Sequence, residues 1–226
     1  YTNNDYGKGL ADVYKAAVEA HGIKVTTVTA HEDGKADYSS EVATLASAGG
    51  DAVAVIGYLD QGGKGIIQAS LDSGAFDRFI LSDGMIGDSL TDNFGKALNK
   101  SFGSLPGSTG KGAGLFSEVA KAAGIDSSGP YTGESYDAAA LITLAMQAGG
   151  SADRSSIQQN VMSVANGPGT KIYPGELKKA LDLLASGSQI NYEGATAVEL
   201  TDVGESFGSF LEKEINNGKF ETKKQR

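Results

Sequence analysis

The sequence of 226 residues has no cysteine and no tryptophan, only two histidines, four prolines and three methionines. Without cysteine there are no disulfides, no thiolate metal sites and no thiol nucleophile, although the redox compartment stays open. No apolar run approaches the ~18 residues that a membrane-spanning helix needs. Positive charge is scarce, with 19 Lys and Arg against 28 Asp and Glu and a formal net charge of -9. Nucleic acid and anionic membranes are held by Lys/Arg clusters, so neither is expected as a partner. The basic end, Lys223, Lys224 and Arg226, reads as a solvated tail. The sequence shows no signal peptide and begins at Tyr1 without Met, as a mature or cut product would.

Motifs for chemistry are scarce too. His21 and His31 have too few partners for a metal site or a catalytic triad, and His31-Glu32 lacks the second His of a zinc-protease helix. In Gly107-Ser108-Thr109-Gly110-Lys111-Gly112, Leu105 stands where a phosphate-binding loop needs its first Gly, and Gly112 where it needs a hydroxyl. The segment reads as a flexible loop. Gly63-Lys64-Gly65 lacks the third Gly of a dinucleotide fingerprint, because Gln68 occupies that position. Gly133-Glu134-Ser135-Tyr136-Asp137 misses the closing Gly of a nucleophile elbow. No cofactor and no enzymatic activity are expected.

What the sequence does have is glycine, 32 residues, about twice the usual ~7%. That suits tight turns between short elements. Residues 7-21 have an apolar stripe of Leu10, Val13, Tyr14, Ala17 and Val18 at helical spacing, with Gly22 as a stop. A β-rich run from Ile23 to Val28 follows, then a helix over 39-48 ended by Gly49-Gly50. Ala52 to Ile56 is a continuous apolar run suited to a strand buried on both faces. A helix over 62-73, a strand Phe79 to Leu81, a helix over 88-98 and a strand Ser101 to Leu105 complete an alternation typical of βαβ units. An open, mostly parallel sheet with helices on both faces is expected. The helix at 7-21 has no strand before it, and an upstream segment is expected to supply one.

From Pro106 the pattern turns mostly helical, with helices near 115-123, from Tyr136 to Ala148, near Ser155 to Val164, and from Pro174 to Ser186, where Pro174 suits the first helical position. A strand from Ala197 to Leu200 and a last one from Phe207 to Ile215, before the turn Asn216-Asn217-Gly218, are predicted.

Ligands of open α/β sheets bind beyond the carboxyl ends of the strands. Tyr6 lies in the loop before the first helix, Tyr58 follows the strand ending at Ile56, and Asp83 follows the strand ending at Leu81. A carboxylate can pair with an ammonium, and a tyrosine can offer it a π face. The same residues also serve as packing and capping groups in many folds.

Asn4-Asp5-Tyr6-Gly7-Lys8-Gly9 resembles the segment that opens the second lobe of the leucine/isoleucine/valine-binding proteins of ABC importers. Val55-Ile56-Gly57-Tyr58 and Leu81-Ser82-Asp83-Gly84 are similar to their next two motifs. Tyr136-Asp137-Ala138-Ala139 resembles the start of their returning first-lobe helix. Tyr192-Glu193-Gly194 with Asp202-Val203-Gly204-Glu205 resembles their ending. No single motif is specific, but the order is.

The resemblance implies a type I periplasmic-binding-protein fold of two α/β lobes that closes on its ligand by hinge motion. Residues 1-105 would be the second lobe, 106-200 the returning part of the first lobe, and 201-226 the crossing back. It implies a missing amino-terminal segment, a periplasmic location, an ABC permease as partner and a branched-chain amino acid as ligand. Tyr6 and Tyr58 would contact that ligand and Asp83 would bind its ammonium, although some members carry Glu there. The rival readings are a cytoplasmic amide or amino acid sensor with the same lobes, and an enzyme on a similar fold.

Overall fold

A computed structural model describes all 226 residues, Tyr1–Arg226. The chain divides into two compact units. The first comprises Tyr1–Leu105 and Glu212–Lys224, the second Pro106–Leu211 and Gln225–Arg226. The chain therefore passes between them after Leu105, after Leu211 and after Lys224.

The first unit starts with helix α1, Asp5–Ala20. It begins two residues earlier than the apolar stripe alone predicts, because the Asn4 side chain caps it, accepting from the Gly7 N–H at 2.9 Å. Such a cap contributes about 1 kcal/mol. The inward face runs through Gly7, Ala11, Tyr14 and Val18, while Val13 of the predicted stripe is 67% exposed. Helix α2 spans Ser39–Ala48.

Strand β1 is Val53–Val55, and β2 is Phe79–Leu81. They run parallel with Val53, Ala54 and Val55 opposite Phe79, Ile80 and Leu81. Between them lie a π-helical turn, Leu59–Gly63, and helix α3, Lys64–Ser73. Helix α4, Asp88–Phe94, and a 3-10 turn, Gly95–Leu98, lead to β3, Phe102–Pro106, again parallel to β2. Phe79 of β2, Ile67 of α3, Met85 in the turn after β2 and Leu90 of α4 are large apolar side chains that are fully buried. The run Ile23 to Val28, predicted as a strand, passes without turn or bend but joins no sheet.

The second unit contains helices α5 (Lys111–Ala122), α6 (Thr132–Gly149) and α7 (Arg154–Ala165). Strand β4 (Thr170–Ile172), helix α8 (Leu177–Ala185) and strand β5 (Ile190–Tyr192) follow. β4 and β5 form a parallel pair that the sequence pattern missed. Leu144, Ala145, Val164, Ile172, Ala180 and Ile190 make one core with Tyr192. Two expectations fail here. The glycine-rich loop ends at Gly110, and Lys111 opens α5, its ammonium 3.9 Å from the centroid of the Tyr173 ring. Pro174 precedes α8 by a turn in which the Glu176 N–H bonds the Tyr173 carbonyl, so the helix starts only at Leu177.

Short strands β6 (Glu199–Leu200) and β7 (Ser206–Phe207) form an antiparallel pair. The chain ends in the hairpin β8 (Phe210–Asn216) and β9 (Lys219–Gln225). Its turn at Asn217-Gly218 has both residues at positive φ, the geometry that favours this dipeptide. The sheet order is β1-β2-β3-β8-β9. Lys223 and Lys224 thus lie in a strand and not in a solvated tail, and Lys223 pairs with Glu221 at 2.6 Å and Glu214 at 3.4 Å.

Candidate functional site

Because β1 and β2 are parallel and in register, their carboxyl ends deliver Gly57-Tyr58 and Ser82-Asp83 side by side. The stretch Tyr1–Asn3 reaches the same edge, where the Thr2 N–H donates to the Ile56 carbonyl at 2.8 Å. It turns at once into α1, which places Tyr6 in that helix's first turn and not in the preceding loop. Three residues far apart in sequence therefore meet at one strand edge.

The contacts among them are direct. The Tyr6 hydroxyl donates to Asp83 Oδ1 at 2.6 Å. Ser82 Oγ lies 3.2 Å from the same hydroxyl. A phenol has one proton, so the carboxylate takes it and Ser82 donates back. The Tyr6 and Tyr58 rings stack with centroids 5.2 Å apart and planes 26° apart. All three residues are half-buried. Burial first, and the Asp83 carboxylate second, push the Tyr6 pKa up to about 12. Tyr6 is thus a neutral donor at any physiological pH, and it fixes the direction of the Asp83 carboxylate.

Glycine makes the approach of the two loops possible. A Cβ on Gly84 would lie 2.4 Å from the Gly57 carbonyl oxygen, closer than any real contact allows. Ser82 Oγ also accepts from the Gly57 N–H at 3.3 Å, tying the loops together from the other side. After Tyr58 the π-helical turn packs tightly on His31. His31 is 4% exposed, and Cβ atoms added at Gly57 and Gly62 would meet its ring at 3.3 and 2.9 Å. The ring stands edge-on to Tyr38, and neither of its nitrogens has a hydrogen-bond partner. Burial, and then the nearby amino group of Tyr1, lower its pKa, so it stays neutral beneath the Tyr58 turn. Adjacent glycines facing a histidine are no sequence signal, and this packing was not foreseeable.

The second unit holds a different carboxylate. Asp137 on α6 is 3% exposed and accepts four hydrogen bonds. These come from the Tyr192 hydroxyl at 2.9 Å, the Ala195 and Thr196 N–H groups at 2.7 and 2.9 Å, and the Thr196 hydroxyl at 2.7 Å. Gly194 sits at φ +59, where a Cβ would strike the Asp137 carboxylate. Burial and Asp137 raise the Tyr192 pKa.

No family model matches the sequence. A chemotactic signal transduction system substrate-binding protein of Halobacterium salinarum, BasB, is 36% identical over 95 residues, 42% of this chain and 23% of BasB. The leucine-binding protein LivK of Thermotoga maritima superimposes with a TM-score of 0.73 at 19% identity, over 98% of this chain and 57% of its own. The fold is that of the type I periplasmic binding proteins. A Rhodopseudomonas palustris solute-binding protein in complex with 4-hydroxybenzoate gives 0.70 at 12% identity, over all of this chain and 58% of its own. The chain thus spans less than 60% of these solved chains and about a quarter of BasB. The fold reading from the ordered motifs stands. None of its helices is long and apolar enough to cross a membrane.

Proposed function

We propose that this chain belongs to a solute-binding protein that captures an amino acid at the edge formed by Tyr6, Tyr58 and Asp83. The observation that carries the reading is the Tyr6–Asp83 hydrogen bond beside the stacked tyrosine pair. A carboxylate aimed by a neutral donor pairs with an ammonium, and aromatic faces beside it favour the same cation. Anionic ligands such as aromatic acids would meet charge repulsion at Asp83. The site residues are therefore better matched to an amino acid than to the benzoate class that one structural neighbour binds.

On this reading residues 1-105 are the second lobe of the whole protein, 106-200 the returning part of its first lobe, and 201-226 the crossing back. A segment upstream supplies the groups for the ligand carboxylate. The protein works outside the cytoplasm, and a branched-chain amino acid stabilises a closed form that an ABC permease recognises. BasB supports a second reading, in which the same closed form is presented to a chemotaxis transducer. Both readings share the ligand step.

A thermal-shift screen of the whole protein tests that step. Ligand at a hundred times its Kd adds about 2.7 kcal/mol, and leucine, isoleucine or valine is expected to raise Tm by about 5 °C. Shifts confined to acids without an ammonium would overturn the amino acid assignment.

A further inference from the structure

Tyr58 is held from beneath by a residue outside the ligand edge. The π-helical turn Leu59–Gly63 closes back on Tyr58, whose carbonyl accepts from the Gly63 N–H at 3.0 Å and from those of Gln61 and Gly62 at 3.4 and 3.5 Å. The underside of that turn rests on the His31 ring. A Cβ added at Gly57 would lie 3.3 Å from Nε2, and one at Gly62 2.9 Å from Nδ1. The two ring nitrogens thus face the glycines that come before and after Tyr58. Tyr38 ties ring and turn together. Its ring stands edge-on to the imidazole with centroids 5.8 Å apart, and its hydroxyl is 3.1 Å from the Gln61 carbonyl.

An apolar side chain would pack there without consequence, but His31 is titratable. It is 4% exposed, and neither nitrogen has a hydrogen-bond partner. An imidazolium carries a proton on both nitrogens and needs an acceptor for each. The nearest carboxylate oxygen, Asp33 Oδ1, is 3.8 Å from Nδ1 and already accepts from the Thr2 hydroxyl at 2.8 Å. Proton uptake therefore requires a displacement, of Asp33 toward the ring or of the ring out from under the glycines. Burial, and then the Tyr1 amino group, act against uptake, while the Glu32 backbone, Asp33 and Glu41 act for it. Glu41 is itself paired with Lys35, and on the turn Asp60 is exposed and paired with Lys64.

We propose that His31 is the positioning residue of Tyr58, and that its protonation weakens capture of the amino acid, so that the site releases its ligand in acid. This role rests on Tyr58 contacting the ligand, as put forward above. Ring and turn move together because glycine leaves no side chain between them. Tyr58 stacks on Tyr6, and Tyr6 directs the Asp83 carboxylate, so a displaced turn loosens all three. The relation is mutual. A ligand that holds Tyr58 in place opposes proton uptake by His31, and proton uptake opposes the ligand to the same degree.

The whole protein, with its tyrosines and histidines isotopically labelled, is taken from about pH 7.5 to about pH 5 without ligand and followed by NMR. The Tyr58 ring signals are expected to shift with the midpoint of the His31 Cε1–H signal. In His31→Leu, which fills the space with a group that cannot titrate, they are expected to stay in place. Tyr58 signals that ignore the His31 midpoint would overturn the proposal, and so would a His31 that takes up no proton before the protein unfolds. Calorimetric titration with leucine reads the same coupling as affinity. Over the same range Kd is expected to rise at least about fivefold in the parent and less than about twofold in His31→Leu. An equal rise in both would overturn the proposal. Should His31→Leu fail to fold, His31→Gln, uncharged throughout the range, takes its place. Absence of leucine binding near pH 7.5 would overturn the amino acid reading instead, and the titration without ligand would still decide the role of His31.

Discussion

Each unit holds an aspartate that receives a tyrosine hydroxyl, and the two are built for opposite ends. Asp137 is 3% exposed, with four donors from one short loop and its neighbouring strand closed around it. Asp83 is half-buried at a strand end, oriented by Tyr6, with a stacked tyrosine pair alongside. A buried carboxylate surrounded by donors fastens the chain, because each donor would otherwise be buried without a partner. A carboxylate held in direction at an open edge can still lose water to a ligand. The same pair of side chains, Tyr and Asp, is thus a fastening in the second unit and, on the proposed function, a ligand-binding pair in the first.

The largest expected effect lies at the fastening. Asp137→Ala would leave the Ala195 and Thr196 N–H groups and the Tyr192 hydroxyl without their acceptor. Unsatisfied buried groups cost about 1–3 kcal/mol each, and a loss of roughly 3–5 kcal/mol is expected in urea unfolding. A loss below about 1 kcal/mol would mean that water replaces the carboxylate, and the contrast with Asp83 would fail.

Asp83→Ala should divide the other way. Unfolding free energy is expected to stay within about 1 kcal/mol of the parent, since the residue is at a half-exposed edge. Affinity for the amino acid is expected to fall at least about a hundredfold, because removing one member of an ion pair buried by closure costs about 3–5 kcal/mol. Calorimetric titration of the whole protein with leucine measures this. Unchanged affinity would remove Asp83 from the site and leave it as a partner of Tyr6.

How much of this was legible in the sequence differs between the same two regions. Helix α2 and strand β2 match their predicted limits because Gly49-Gly50 and the isolated Phe79-Ile80-Leu81 run punctuate them without ambiguity. The strand-end rule places Tyr6, Tyr58 and Asp83 at one sheet edge. It could not give the hydroxyl bond or the ring stacking, which depend on side-chain direction. The second unit was harder. Strands β4 and β5 are three residues each and carry Lys171 and Asn191 in their middles, so neither shows a strand period. Hairpin strands β8 and β9 are rich in Lys and Glu, and Lys223 and Lys224 of β9 therefore read as part of a solvated tail. Ile23 to Val28 has a strand's composition and fails to form one for a reason no local pattern carries, namely that a ladder needs a neighbour on which to close.

The smallest expected effect separates the units by pH. Neutral His31 lies buried under the Tyr58 turn with its pKa lowered, whereas the unfolded chain would titrate it near 6.5. Above about pH 6.5 it is neutral in both states and contributes no pH dependence. As pH falls below that value the unfolded chain takes up the proton before the folded one does, so stability drops until the folded pKa is reached. The groups around the ring are the Tyr1 amino group, the Glu32 backbone, Asp33, whose Oδ1 is 3.8 Å from Nδ1, Glu41 and Tyr38. The Glu32 backbone, Asp33 and Glu41 act to raise the pKa and so reduce the effect without reversing it. Between pH 7.5 and 5.5 the first unit is expected to lose stability. Hydrogen exchange at Phe79–Leu81 reports on that unit, and exchange at Leu141–Ala145 serves as the reference in the second. His31→Gln should flatten the dependence in the first unit and leave the second unchanged. If both units weaken equally as pH falls and His31→Gln changes neither, the titration lies elsewhere, and His31 is only a filler beneath the glycine turn.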